Sequence, residues 1–141
     1  MLKNIAEKYY SPEYDLNCAE TLLYAANEAY NLNLPKDALK TMAGFGGGMV
    51  IEDVCGALTG AIAALGVLYV EDKAHESEIL KTLVPDLIQK FEEKLGTKNC
   101  KLLKDKYRED EPIKCKKIVL IAALALEEVV NNMGLKGMEN K

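Results

Sequence analysis

Four cysteines are the residues of this chain whose type is best suited to chemistry: Cys18, Cys55, Cys100 and Cys115. A thiolate can attack a disulfide, and two cysteines can cycle between the dithiol and the disulfide state. Four thiolates also suit a tetrahedral zinc ion or an iron–sulfur cluster. The sequence has no Cys-x-x-Cys pair, so it carries neither a zinc-ribbon nor a thioredoxin-type motif. The single histidine, His75, excludes mechanisms that need two imidazoles.

All four cysteines follow residues that favour a helix start: Asn17, Asp53, Asn99 and Pro112. At a helix N-terminus the free N–H groups and the positive dipole end stabilise a thiolate. They can lower the pKa of a thiol below its usual value of about 8.5. Each cysteine taken alone is better explained as a small buried apolar residue. Four cysteines at four helix starts together predict a shared site.

Lysines flank two of the cysteines. Near Cys100 lie Lys98, Lys101 and Lys104, and next to Cys115 lie Lys114, Lys116 and Lys117. Positive charge in a first helical turn opposes the helix dipole, whereas it favours ionisation of a nearby thiol. The lysines therefore indicate either a thiolate environment or a solvated cationic face. On the first interpretation the attacking thiol is Cys100 or Cys115, and a partner cysteine resolves the mixed disulfide.

The elements that must position these thiols are helices. Apolar residues recur with 3.6-residue spacing, and alternation over the length of a strand is absent. The predicted helices cover residues 2–9, 17–31, 35–43, 54–70, 77–95, a short segment after Asn99, and 113–133. Asn17 and Glu20 form a capping box, Pro85 should kink or divide its helix, and Gly134 should end the last one. The tail to Lys141 is expected to fray.

The segment from 54 to 70 holds seventeen residues without a charge, and both of its flanks are acidic. The flanks lack the Lys/Arg asymmetry that orients membrane insertion, so a central buried helix is favoured over a membrane span. Gly56, Gly60 and Ala64 form a flat ridge on it. We expect the glycine loop 44–48 to cover Cys55, with Cys18 close by and Cys100 or Cys115 completing the cluster.

The composition is typical of one globular domain over residues 1–141. Apolar residues make up 49% and charged residues 28%, and the net charge is −4. This acidic balance argues against a nucleic-acid partner. The first residues lack the apolar stretch of a secretory signal, so a cytoplasmic, reducing location is expected, where structural disulfides are rare. The expected fold is all-α: a single compact multi-helix bundle with a central buried helix that does not span a membrane.

Three motifs precede the last two cysteines: Asn-Cys-Ala-Glu at 17–20, Gly-Phe-Gly-Gly-Gly-Met at 44–49, and Cys-Gly-Ala-Leu-Thr-Gly at 55–60. In this order they resemble the C_GCAxxG_C_C family of redox-active proteins, over essentially the whole chain. The resemblance implies a small soluble prokaryotic protein with a redox role, often encoded near transporter genes. It also implies that Cys18, Cys55, Cys100 and Cys115 are the functional set. An unidentified redox partner associated with a membrane transporter system would fit that setting.

Two functional hypotheses follow. The first is a thiol-based redox protein that uses its four cysteines in dithiol/disulfide chemistry. The second is a carrier or sensor module that binds an iron–sulfur cluster or zinc through the same cysteines. A purely structural or interaction domain is a third reading. The sequence leaves open whether the protein is an enzyme, what its substrate is, which cysteines pair, and whether it forms a homo-oligomer.

Overall fold

The computed structural model describes residues 1–76 and 78–139, and within this part the chain forms seven α-helices and no β-strand. The helices are α1 (Leu2–Tyr9), α2 (Cys18–Ala29), α3 (Lys36–Lys40), α4 (Gly56–Tyr69), α5 (Leu80–Leu95), α6 (Cys100–Tyr107) and α7 (Lys116–Glu139). The predicted all-α fold is confirmed. None of these helices has the length and hydropathy needed to cross a bilayer.

Helix α4 lies at the centre of the bundle, in contact with α2, α5 and α7. Its Leu58 and Leu65 are fully buried, together with Phe91 of α5 and Leu126 of α7. Each such side chain contributes about 1.5–3 kcal/mol when it is removed from water. The predicted central helix is thus confirmed, except that its last turn reaches the surface, where Val67 is 41% exposed.

Small residues let α2 and α4 approach each other closely. A Cβ atom at Gly60 would collide with the carbonyl oxygen of Ala19, and one at Gly56 would lie 2.8 Å from the carbonyl oxygen of Phe45. The predicted glycine ridge is therefore the contact surface between the two helices. Because both helices begin at this contact, it also sets the distance between Cys18 and Cys55.

Several helix ends differ from the sequence-based expectations. Helix α3 is shorter than expected, and Pro35 occupies its N-cap. Pro85 lies inside α5 without dividing it, because a proline removes only one backbone donor and the apolar face of α5 is held by the core. Helix α7 continues past Gly134 to Glu139, since glycine lowers helix stability without blocking the helix. The start expected at 77 and the tail residue Lys141 lie outside the described residues.

The glycine-rich segment makes a tight irregular turn before α4. Gly47 and Gly48 have φ values of 63° and 64°, in the left-handed region. A Cβ at Gly48 would lie 2.7 Å from the Cβ of Cys100. The turn continues through Gly48–Glu52, and Val50 is left-handed there with φ at 67°. Glycine at 48 is thus required for this turn to lie against Cys100.

Candidate functional site

All four cysteines line one cavity of about 180 Å³. It lies where four helices begin: Cys18 and Cys100 are the first residues of α2 and α6, Cys55 is the N-cap of α4, and Cys115 directly precedes α7. The structure thus brings the predicted residues together, although they are separated by up to 97 positions in the chain. All four are free thiols. The structure therefore describes the reduced state.

A complete capping box fixes Cys18. The backbone N–H of Glu20 donates to Asn17 Oδ1 over 2.8 Å, and the N–H of Asn17 donates to Glu20 Oε1 over 3.0 Å. The amide nitrogen Nδ2 of Asn17 also donates to the carbonyl of Ala43 over 3.0 Å. The predicted cap is confirmed, and it connects the start of α2 to the glycine-rich turn above the cavity.

A short antiparallel pairing positions Cys55 and Cys100. Val54 and Asn99 form an isolated bridge, flanked by a hydrogen bond from the N–H of Cys55 to the carbonyl of Lys98 and one from Cys100 to Asp53. In such a pairing Cys55 and Cys100 are diagonal neighbours on one face, with Cα atoms about 7–8 Å apart. The expectation that Asp53 caps α4 is wrong, because its carbonyl is used in this pairing and Cys55 takes the cap position.

Tyr10 connects Cys18 with Cys115, and this residue was not among those predicted for the site. Its hydroxyl accepts a hydrogen bond from the backbone N–H of Cys115 over 3.2 Å and lies 4.0 Å from Cys18 Sγ. Tyr10 comes from α1's C-terminal end, more than 100 residues before Cys115. No local pattern could have identified it.

Arg108 is a second residue of the cavity that sequence reasoning missed. It lies at the C-terminal end of α6 and lines the cavity with Lys104 and Lys114. Its position could have been predicted from the sequence, because Cys100, Lys104 and Arg108 follow one another at intervals of four residues and therefore share one helix face. Among the lysines considered from sequence, only Lys104 and Lys114 line the cavity. The others lie against different partners: Lys98 against Glu92, Lys101 against Asp105, Lys116 against Glu7 and Lys117 against the Tyr107 ring.

The four thiols differ in acidity because their surroundings differ. The pKa of Cys115 is lowered to about 6, first by a hydrogen bond from the Cys18 thiol and then by the positive charges of Arg108 and Lys104. The pKa of Cys18 is raised well above its ordinary value, because its proton is held by Cys115 and its side chain is buried. Cys115 is therefore the thiol of this pair that ionises first.

Burial dominates at the other two thiols. It raises the pKa of Cys55 to about 11, although the N–H groups of Leu58 and Ala57 act in the opposite direction. These donors come from the first turn of α4 and not from the glycine loop. Burial also raises the pKa of Cys100, despite the opposing charge of Lys104. Of the two attacking thiols that the lysines suggested, the environment favours Cys115 and disfavours Cys100.

Four thiols are a donor set that zinc and iron–sulfur clusters can take. Within residues 1–76 and 78–139, no group of three or more His, Cys, Asp or Glu side chains is placed to hold a metal ion. The thiols surround the cavity and do not converge on one point. His75 lies apart from them, exposed in a short turn at Ala74–Glu76.

A helical bundle with four free thiols around one cavity defines a class of four-cysteine helical proteins. The chain belongs to the C_GCAxxG_C_C family: residues 16–129 match the family model, which is described as "Putative redox-active protein". The matched range includes all four cysteines, so the resemblance drawn from the motifs is confirmed. Neither the curated proteins nor the solved structures contain a match to the chain.

Proposed function

We propose that this protein exchanges disulfides with a substrate, with Cys115 as the attacking thiolate and Cys18 as the resolving thiol. One observation carries the proposal: Cys18 and Cys115 lie on the same cavity and both contact the Tyr10 hydroxyl, and the pKa of Cys115 is lowered there. A pKa near 6 leaves most of this thiol ionised at neutral pH, and the thiolate is the attacking species.

The proposed reaction has two halves, and the first balances with the substrate disulfide as its only co-reactant. The Cys115 thiolate attacks one sulfur of a substrate disulfide, so that a mixed disulfide forms and one substrate thiolate leaves. Cys18 then gives its proton to the first substrate thiolate and attacks Cys115 Sγ, which forms the Cys18–Cys115 disulfide and releases the second substrate thiolate. Two protein thiols are oxidised, and one substrate disulfide is reduced to two thiols. A separate dithiol returns the protein to its reduced state.

Tyr10 has a positioning role in this cycle. Burial raises the pKa of its hydroxyl, so that the phenol stays protonated. Because the oxygen accepts from the Cys115 N–H, its own O–H is free to point at Cys18 Sγ. A protonated phenol there stabilises the thiolate that forms on Cys18 when it loses its proton, before it attacks.

The test measures which thiol reacts and which disulfide forms. The reduced protein is treated with a small disulfide, quenched with acid and mapped by mass spectrometry. We expect the mixed disulfide on Cys115 first and then a Cys18–Cys115 disulfide. Cys18→Ser should accumulate the mixed disulfide. Cys115→Ser should lose the fast phase of the reaction with the small disulfide, and Cys55→Ser is the matched control that should keep this fast phase. A fast phase that survives in Cys115→Ser contradicts the proposal.

A zinc or iron–sulfur site on the same cysteines is the competing function, supported by the presence of all four thiols on one cavity. Because the thiols surround the cavity and do not converge on one point, their placement supports a metal site less than it supports disulfide chemistry. Anaerobic purification with metal analysis and a visible spectrum separates the two. Stoichiometric iron or zinc that is lost in the Cys55→Ser variant would replace the disulfide proposal with the metal one.

A further inference from the structure

Apart from the Cys115 thiolate, every charged side chain that lines the four-cysteine cavity is cationic. The three are Lys104, Arg108 and Lys114, and no aspartate or glutamate of the described chain contributes to the lining. The protein as a whole is acidic, with a net charge of −4. A cavity whose walls carry one sign of charge concentrates ligands of the opposite sign. The positive ends of four helix dipoles, those of α2, α4, α6 and α7, add to this field.

The three cations differ in whether a carboxylate neutralises them. Lys104 lies 3.0 Å from Glu52, which neutralises much of its charge. Within the described residues, no carboxylate forms an ion pair with Arg108 or Lys114. Lys114 Nζ lies instead 5.8 Å from the centre of the Tyr10 ring. The cavity thus carries more positive charge than one thiolate balances.

The size of the cavity restricts the ligand. Its volume of about 180 Å³ lies below the roughly 300–1,000 Å³ of sites for drug-sized ligands. Apolar side chains complete the wall: Leu16, Leu103 and Ile118. This space suits one half of a small disulfide better than a folded peptide segment.

We infer that the substrate is a low-molecular-weight disulfide that carries a carboxylate close to its sulfur atoms, with Arg108 and Lys114 binding that carboxylate. The inference rests on the proposed function and adds the substrate class to it. When Cys115 attacks, the negative charge moves from Cys115 to the departing sulfur, and Arg108 stabilises it there as well. The reaction ends with the Cys18–Cys115 disulfide and two carboxylate-bearing thiols.

Two disulfide reagents test the inference. The first is 5,5′-dithiobis(2-nitrobenzoate), which is anionic, and the second is 4,4′-dithiodipyridine, which is neutral. Both report the release of a chromophoric thiol in a stopped-flow instrument. Because both react with the same thiolate, the ratio of their rates cancels any change in the pKa of Cys115. We expect rising salt to lower the rate of the anionic reagent alone.

The variants Arg108→Gln and Lys114→Gln should lower this anionic-to-neutral ratio, each by roughly threefold to tenfold, a size typical of electrostatic steering. Lys106→Gln removes the same charge from an exposed position of α6 that does not line the cavity, and it should leave the ratio unchanged. Circular dichroism verifies that each variant is folded. The salt series on the wild-type protein gives a second measurement that needs no variant.

The two proposals fail in different ways. A rate ratio that is the same in the wild type and in both variants, together with equal salt dependence for the two reagents, overturns the inference about the substrate. The disulfide cycle then still stands if Cys115→Ser abolishes the fast reaction with the neutral reagent. If Cys115→Ser leaves the rates with both reagents unchanged, the proposed function itself fails.

Discussion

Four chemically identical side chains acquire different acidities in this protein. The neighbouring Cys18 thiol and the positive charge of Arg108 lower the pKa of Cys115 to about 6. Burial raises the pKa of Cys55 to about 11, although this residue lies at the start of a helix whose dipole should favour the thiolate. Desolvation therefore outweighs the helix dipole at Cys55, while direct hydrogen bonding and charge outweigh desolvation at Cys115.

The contribution of Cys18 to the acidity of Cys115 can be measured by substitution. Cys18→Ala removes the donor and should move the midpoint of Cys115 alkylation from near pH 6 toward the ordinary value of about 8.5. Cys18→Ser keeps an O–H donor and should produce a smaller shift. The measurement is the rate of iodoacetamide labelling against pH, resolved by peptide. An unchanged midpoint in Cys18→Ala would show that Arg108 and Lys104 alone lower this pKa.

The same pKa makes stability depend on pH. The folded-state pKa of Cys115, about 6, lies below its unfolded value of about 8.5. Between these values the unfolded chain binds the extra proton, so the free energy of unfolding rises with pH. This contribution is complete above pH 8.5 and is lost as the pH falls through 6. Urea unfolding under reducing conditions measures this. The free energy of unfolding of the wild type, relative to that of Cys115→Ser, should increase from pH 5.5 to 8.5, and a constant difference would contradict the prediction.

At the level of elements, the site is made of helix ends. The capping box of Asn17 and Glu20 sets the start of α2, and the Asn99 side chain caps α6 by accepting from the N–H of Leu102 over 3.0 Å. The start of α4 is held by the hydrogen bond from Cys55 to Lys98 instead of a side-chain cap. Each thiol thus keeps its place through backbone interactions that do not involve its sulfur atom.

Two glycines of α4 offer a matched test of the α2–α4 contact. Gly60→Ala places a Cβ against the backbone of Ala19, which cannot move aside, and overpacking of this kind typically costs about 1–3 kcal/mol. A Cβ at Gly66 meets nothing within 4 Å, so Gly66→Ala should raise stability by about 0.5–1 kcal/mol through helix propensity. Chemical denaturation measures both. Equal effects of the two substitutions would mean that α2 and α4 do not pack as described.

For the molecule as a whole, the cavity exists because α2, α4, α6 and α7 direct their N-termini to the same place. Helix α1 supports it from one side, since Tyr10 at its end contacts both Cys18 and Cys115. A disulfide between these two cysteines would join α2 to α7, near opposite ends of the chain. Oxidation therefore acts on the stability of the entire fold.

The oxidised protein should be markedly more stable than the reduced one. The Cys18–Cys115 crosslink closes a loop of nearly 100 residues, and loss of that loop's entropy in the unfolded chain is worth about 4.7 kcal/mol in the chain-entropy model. Urea unfolding of the oxidised and reduced protein measures the difference, with oxidised Cys115→Ser as the control that should show no gain. Lower stability on oxidation would mean that the two thiols must be pulled together at a cost in packing.

The sequence by itself determined the local part of this structure. The 3.6-residue spacing of apolar side chains predicted the helices, and Asn17 and Asn99 marked helix starts that the structure confirms. These features depend on residues within one or two helical turns, so they can be read from a short window. The position of the cysteines at helix starts followed for the same reason.

Only the tertiary structure decided which thiol ionises and what surrounds it. The neighbouring lysines indicated Cys100 and Cys115 equally as the attacking thiol. In the structure, however, the pKa of Cys100 is raised and the pKa of Cys115 is lowered. The difference comes from Cys18 and Arg108, the first of which is 97 positions away in the chain. Burial and hydrogen bonding across space set a pKa, and both arise when distant helices pack together. The spacing of residues along the chain contains no record of those distances.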